Sequence, residues 1–229
     1  MSIKTSYVLL LLALPAISNC QTVQPDPEMY ACRGISFADE DALPQEVGYA
    51  ARAPHALTSP NGKNRVEMIR PKVFAVFVNG RRMRTLKFPR INAGIELGWS
   101  PDSIQFFIMY SAGGAIGDFH VHAFTIHRGH AKELVYPRVA ANDFHRKHSC
   151  TTRFNNLRFL GWTPDSVNAF VVAEVYPTGD CNQAGLFRGY LMDTRTGAVV
   201  RRFGEQDTEQ IKKSCRVSGT VKVNLNVRR

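Results

Sequence analysis

Gly98-Trp99-Ser100-Pro101-Asp102-Ser103 recurs as Gly161-Trp162-Thr163-Pro164-Asp165-Ser166, and each copy leads into an alternating run rich in aromatic and branched residues, 104–110 and 167–176. A proline at the second position of a turn presets φ, and an aspartate after it bonds the backbone ahead, so each hexapeptide reads as a tight corner feeding a strand. Trp99, Pro101, Asp102 and Trp162, Pro164, Asp165 are therefore markers of a structural repeat. Asp102 and Asp165 stabilise turns on this reading rather than forming a catalytic carboxylate pair.

Working outward, Ser59-Pro60-Asn61-Gly62 is an earlier, looser copy without the tryptophan and with Asn for Asp. It leads to strand-like runs at 65–69 and 73–78, then Asn79-Gly80, a strong hairpin signal, then 82–88. The last run carries basic residues on both faces, which suits an exposed outer strand. The unit around the first hexapeptide adds runs at 94–97, 104–110, 119–126 and 132–136, with a glycine-rich loop at 113–117. Residues 138–155 are polar without strand period and read as an inserted loop. Four runs then return around the second hexapeptide, at 157–160, 167–176, 186–193 and 198–203. Asp207 is a candidate cap for a short helix over 208–215, and residues 217–227 alternate as a one-face strand.

Trp99 and Trp162 stand 63 residues apart, and setting aside an insertion of roughly 18 residues leaves a period of about 45, the size of one propeller blade. Trp-Ser-Pro-Asp-Ser and Trp-Thr-Pro-Asp-Ser followed by an apolar strand resemble the WD-type repeats of TolB-like β-propellers, over roughly half of the mature chain. Ser103 and Ser166 stand where those repeats usually have glycine. The expected fold is all-β, with propeller-like four-stranded antiparallel sheets and a short C-terminal helix. Three units at most are countable, whereas closed propellers have at least four blades. An incomplete or small propeller, a stacked pair of sheets and half of a dimer all fit.

Lys4, the apolar run 7–13, Pro15 and the small-residue site Ala16-Ile17-Ser18 read as an export signal over residues 1–18. That run is far shorter than the roughly 20 residues a bilayer span needs. Residues 19–54 then read as an N-terminal arm, and 55–229 as the β domain. Ile17-Ser18-Asn19-Cys20 resembles a lipobox with Asn in place of a small residue, so Cys20 is a candidate lipidation site and both cleavage routes stay open. If Cys20 is lipidated, the other four of the five cysteines form two bridges, expected as Cys150 with Cys181 and Cys32 with Cys215. The expected location is periplasmic or secreted, with a lipid-anchored alternative.

The formal charge of +10 favours anionic partners. The cations are scattered as Arg81-Arg82, Arg146-Lys147, Arg201-Arg202, Lys212-Lys213 and Arg228-Arg229. Outside the cytoplasm an anionic envelope surface or another envelope protein is the expected partner, nucleic acid is not, and an incomplete propeller would oligomerise. His145, Arg146, Lys147 and His148, in the inserted loop, are the candidate binding residues. His120 and His122, two apart on one strand face, with Asp118 alongside, are the candidate metal ligands, and the alternative function is an envelope hydrolase or metal-dependent enzyme built on them. No Gly-x-Ser-x-Gly elbow is present, no catalytic residue stands out, and no cofactor is indicated. The first expectation is an exported binding or structural module.

Overall fold

The corner formed by the repeated hexapeptide exists three times, with the same bonds each time. Ser59, Ser100 and Thr163 each begin a turn closed by the amide of Gly62, Ser103 or Ser166 donating to their carbonyls at 2.9, 2.9 and 2.8 Å. Their side-chain oxygens accept from the amides of Asn64, Gln105 and Asn168 at 3.0, 2.9 and 3.0 Å. Asn61, Asp102 and Asp165 accept from the amides of Lys63, Ile104 and Val167 at 2.9, 3.0 and 3.0 Å. The fourth turn residue has positive φ in every copy: Gly62 at 72°, Ser103 at 65° and Ser166 at 62°.

The computed structural model describes residues 35–39, 56–70, 72–91, 93–112, 119–148, 155–175 and 185–219. In chain order the elements are β1 (Ile35–Asp39), β2 (Ala56–Thr58), β3 (Asn64–Arg70), β4 (Val73–Val78), β5 (Arg81–Lys87), β6 (Ala93–Trp99), β7 (Gln105–Ser111), β8 (Phe119–His127), β9 (His130–Leu134), α1 (Tyr136–Lys147), β10 (Asn155–Trp162), β11 (Asn168–Val175), β12 (Phe187–Asp193), β13 (Val199–Phe203) and α2 (Glu205–Gly219). The protein is mostly β. Its strands form three antiparallel sheets: sheet 1 in the order β2-β3-β4-β5, sheet 2 in the order β1-β6-β7-β8-β9, and sheet 3 in the order β10-β11-β12-β13. The Asn79-Gly80 hairpin forms with both residues at positive φ, and β5 is an exposed edge strand as its charge pattern predicts.

Strand alternation decides how the sheets meet. Phe106 and Ile108 of β7 join Val66, Phe74 and Val76 of sheet 1 in one buried cluster. Phe107, on the opposite face of β7, joins Phe159, Trp162 and Val171 of sheet 3 and Tyr136, Ala140 and Phe144 of α1 in a second. On the far face of sheet 3, Phe170, Leu191 and Phe203 pack with Ile211 and Cys215 of α2. Sheet 2 is thus buried on both faces, between sheets 1 and 3.

The turns are also bolted to one another. Ser103 Oγ accepts the amide of Asn61 from sheet 1 at 3.0 Å, and Ser166 Oγ accepts the amide of Asp102 from sheet 2 at 3.1 Å. Asn64 Nδ2 donates to the Ser103 carbonyl at 2.9 Å, and Gln105 Nε2 donates to the Ser166 carbonyl at 3.2 Å. A serine in the left-handed region costs about 1 kcal/mol or more, which a buried inter-sheet hydrogen bond of similar size offsets. Gly62, in the first sheet, has no preceding turn to reach among the described residues.

Four expectations are corrected. Residues 138–155 are not an inserted loop at their start, because Tyr136, Ala140 and Phe144 recur at four-residue spacing and give α1 a buried face, with Pro137 in its first turn. The C-terminal helix is longer than 208–215 and begins at Glu205, so Asp207 lies within its first turn. Val217 belongs to that helix rather than to a strand, while 220–229 lie outside the described residues. Within the N-terminal arm, Ile35–Asp39 forms β1 and pairs with β6.

Candidate functional site

α1 delivers its last turn, His145, Arg146 and Lys147, with His148 as C-cap, to the end of the helix where backbone carbonyls favour cations. These four residues were read as loop; His145, Arg146 and Lys147 are helical, with Phe144 burying the face beneath them, and His148 ends the helix in an extended conformation. Asp143 sits one turn back, with its side chain 5 % exposed, and accepts from Arg202 Nε at 2.8 Å and Arg202 Nη2 at 2.9 Å. Arg146 Nη2 donates to the same carboxylate at 3.3 Å. Arg202 of β13 is thereby fixed beside the end of α1. The Arg202 fork, with desolvation working against it, holds the Asp143 carboxyl below the usual range, and the Lys147 and Arg146 charges add to that effect. Burial, reinforced by the Asp143 charge, pushes the Tyr190 phenol up to about 12.

The result is one buried carboxylate surrounded by Arg202, Arg146 and Lys147, a net positive surface assembled from the Arg146-Lys147 pair and from Arg202, which are far apart in the chain. Sequence reasoning found the four helix-end residues and missed Asp143 and Arg202. The available signal was the spacing of Asp143 from Arg146 and Lys147, three and four residues, which is meaningful only on a helix.

Asp143, Asp165 and Asp193 all have carboxyl pKa values held down, by Arg202, by the Thr163 hydroxyl, and by the Thr196 amide respectively. A carboxylate whose pKa is lower folded than unfolded contributes stability above the unfolded value, about 3.9, and loses that contribution as pH falls through the lower folded value. Stability is therefore expected to drop on acidification below about pH 4. Asp143→Asn is expected to be less stable than wild type at neutral pH, with a gap that narrows on acidification. Urea midpoints at a series of pH values check this; a gap independent of pH would contradict it.

His120 and His122 do lie on one face of β8. The Tyr110 ring stands 5.3 Å from the His120 ring and 5.8 Å from the His122 ring, and Phe88 lies 4.9 Å from His122. His122 Nδ1 is 2.8 Å from Glu133 Oε1. Asp118 lies outside the described residues, and among the described residues no group of three or more His, Cys, Asp or Glu side chains is placed to hold a metal. Cys20, Cys32, Cys150 and Cys181 also lie outside the described residues, and with them the lipidation site and both expected bridges; Cys215 is buried on α2.

Trp99, Pro101, Asp102 and Trp162, Pro164, Asp165 hold equivalent places. Trp99 Nε1 donates to the Leu57 carbonyl of sheet 1 at 3.0 Å, and Trp162 Nε1 donates to Gln105 Oε1 of sheet 2 at 3.3 Å. No helix among the described residues is long and apolar enough to cross a membrane. Comparison with family models, with curated proteins and with solved structures gives no match to this chain.

Proposed function

We propose that the chain is an exported binding module of the cell envelope, built from propeller-like repeats, which meets an anionic envelope surface through the end of α1 and the adjoining part of β13. The observation that carries this reading is the Asp143 centre: a buried carboxylate holds Arg202 and Arg146 side by side and leaves the surrounding surface with an excess of positive charge. Cations fixed on a rigid scaffold attract an anionic surface at about 1 kcal/mol each, an effect that salt screens.

The ends of the stack support a self-contained unit. Thr58, Arg65 and Glu67 of sheet 1 occupy the positions that Trp99, Phe106 and Ile108 fill in sheet 2 and Trp162, Ala169 and Val171 in sheet 3. In sheets 2 and 3 these positions pack against the preceding sheet; in sheet 1, Thr58 and Arg65 are exposed and Glu67 is half-buried. At the other end α2 lies on sheet 3. Polar residues at one end and a helix at the other favour a stack of three units over an open edge awaiting a partner.

Sedimentation with phosphatidylglycerol vesicles, against phosphatidylcholine vesicles, tests the reading. Replacing His145, Arg146, Lys147 and His148 together by Gln, which preserves the helix and leaves Asp143 paired with Arg202, is expected to weaken binding to the anionic vesicles about tenfold or more. Undiminished binding by a folded variant, or equal binding to both kinds of vesicle, would refute it.

A further inference from the structure

β9 pairs with only Ala123–His127 of β8 before the chain turns into α1. Beside the remaining part of β8, a cavity of about 480 Å³ opens between sheet 2, the start of α1 and β10, lined among others by His120, His122, Glu133, Leu134, Arg138 and Leu157. Its size falls within the range of small-molecule sites, about 300–1,000 Å³. None of the helix-end residues His145, Arg146, Lys147 or His148 lines it.

The chemistry of the walls is mixed in a particular way. Leu134, Leu157, Val135, Pro137 and Ala141 supply apolar surface, and Val135 is 46 % exposed at the opening to solvent. The two imidazoles are held in place by the Tyr110 ring beside both of them. Glu133 is engaged by His122 Nδ1. Arg138 has no carboxylate at ion-pair distance among the described residues, so its guanidinium is the charge in the cavity without a counter-ion. From these observations we infer that the cavity binds a small organic anion with an apolar or aromatic body, the body lying against Leu134 and Leu157 and the acidic head on Arg138.

The alternatives fit less well. A bare inorganic anion would leave the apolar wall unused and would find one unpaired cation, whereas an uncharged hydrophobe would leave the exposed, unpaired Arg138 guanidinium unused. A carboxylate, sulfonate or phosphate on an apolar body satisfies both parts of the lining. Charge-assisted hydrogen bonds to arginine are stronger than neutral ones and fix orientation.

Two fluorescent probes separate body from head: 1-anilinonaphthalene-8-sulfonate, an aromatic anion, and N-phenyl-1-naphthylamine, the same ring system without the sulfonate. Titrations use the full chain, with each variant's circular dichroism and melting temperature recorded. Wild type is expected to bind the sulfonate saturably. Arg138→Gln is expected to weaken the sulfonate about tenfold and to change the neutral probe by less than about twofold, since a charge-assisted bond is lost and the apolar wall is kept. Ala141→Phe, which fills the cavity, is expected to weaken both probes; Val135→Trp, at the exposed opening, gives the same readout should the first variant fail to fold. Sulfonate affinity unchanged by Arg138→Gln, equal loss of both probes in that variant, or binding indifferent to both cavity-filling variants would overturn the inference.

Discussion

Trp162→Ala is expected to lower the stability of the protein by about 3–5 kcal/mol, the largest effect of any single substitution considered for this chain. The indole is 1 % exposed and fills the space between sheets 2 and 3, with its ring 4.5 Å from that of Phe159 and 5.7 Å from that of Phe107. Truncation removes that packing and leaves a cavity in a cluster joined to α1. It also leaves Gln105 Oε1, in a side chain otherwise bonded to Ser166 and Thr194, without its indole donor. An orphaned buried acceptor adds about 1–3 kcal/mol to such a loss.

The repeat supplies an internal control. Thr58 holds the same place before the turn in sheet 1 and is exposed, because among the described residues no sheet packs against that face. Thr58→Ala is expected to change stability by no more than about 0.5 kcal/mol. Urea unfolding followed by circular dichroism measures all three positions, and Trp99→Ala should fall with Trp162→Ala. A small effect at either tryptophan, or a large one at Thr58, would break the equivalence of the three sheets.

Gly98→Ala is expected to cost about 1–3 kcal/mol by overpacking, although it adds one methyl group to a strand. Gly98 lies opposite Phe107 in the β6–β7 pair, and a Cβ there would come 2.3 Å from Phe107 Cε1. The ring cannot swing aside freely, because it is 2 % exposed and stacked 4.3 Å from Phe159. Phe107→Leu removes the clashing ring atom. The double variant Gly98→Ala/Phe107→Leu should therefore lose less stability than the sum of the two single losses, a coupling that a double-mutant cycle reads directly. Strict additivity would show that the ring does not set the need for glycine. Gly161, the matching residue of the second hexapeptide, is glycine for a different reason: it sits at a bulge with φ of 150°, a conformation that L side chains rarely adopt.

The turns, the hairpin at Asn79-Gly80, the exposed edge strand β5 and the four-strand grouping around each hexapeptide were legible because they depend on neighbours in sequence: a proline's fixed φ, a side chain bonding the amide two residues ahead, a period of two. α1 was missed because its exposed face, with Asn142, His145, Arg146 and Lys147, dominates the reading of residues 138–148, while Ala140 and Ala141 are small enough to conceal an apolar face. β1 was missed because a five-residue strand of mixed character, Ile-Ser-Phe-Ala-Asp, is selected by the free edge of β6 rather than by its own pattern.

By itself the sequence determined three corners with their strands and a terminal helix, since each is stabilised within a few residues of where it is encoded. Only the tertiary structure decided why the corners differ from one another. Gly62 and Thr58 stand at the end of the stack, whereas Ser103, Ser166, Trp99 and Trp162 each reach back to the sheet before them. It likewise decided where charge gathers, because Asp143 and Arg202 are 59 residues apart and meet only when α1 and sheet 3 pack together; a pair so distant leaves no periodic trace, and its attraction exists only after the fold has removed Asp143 from water.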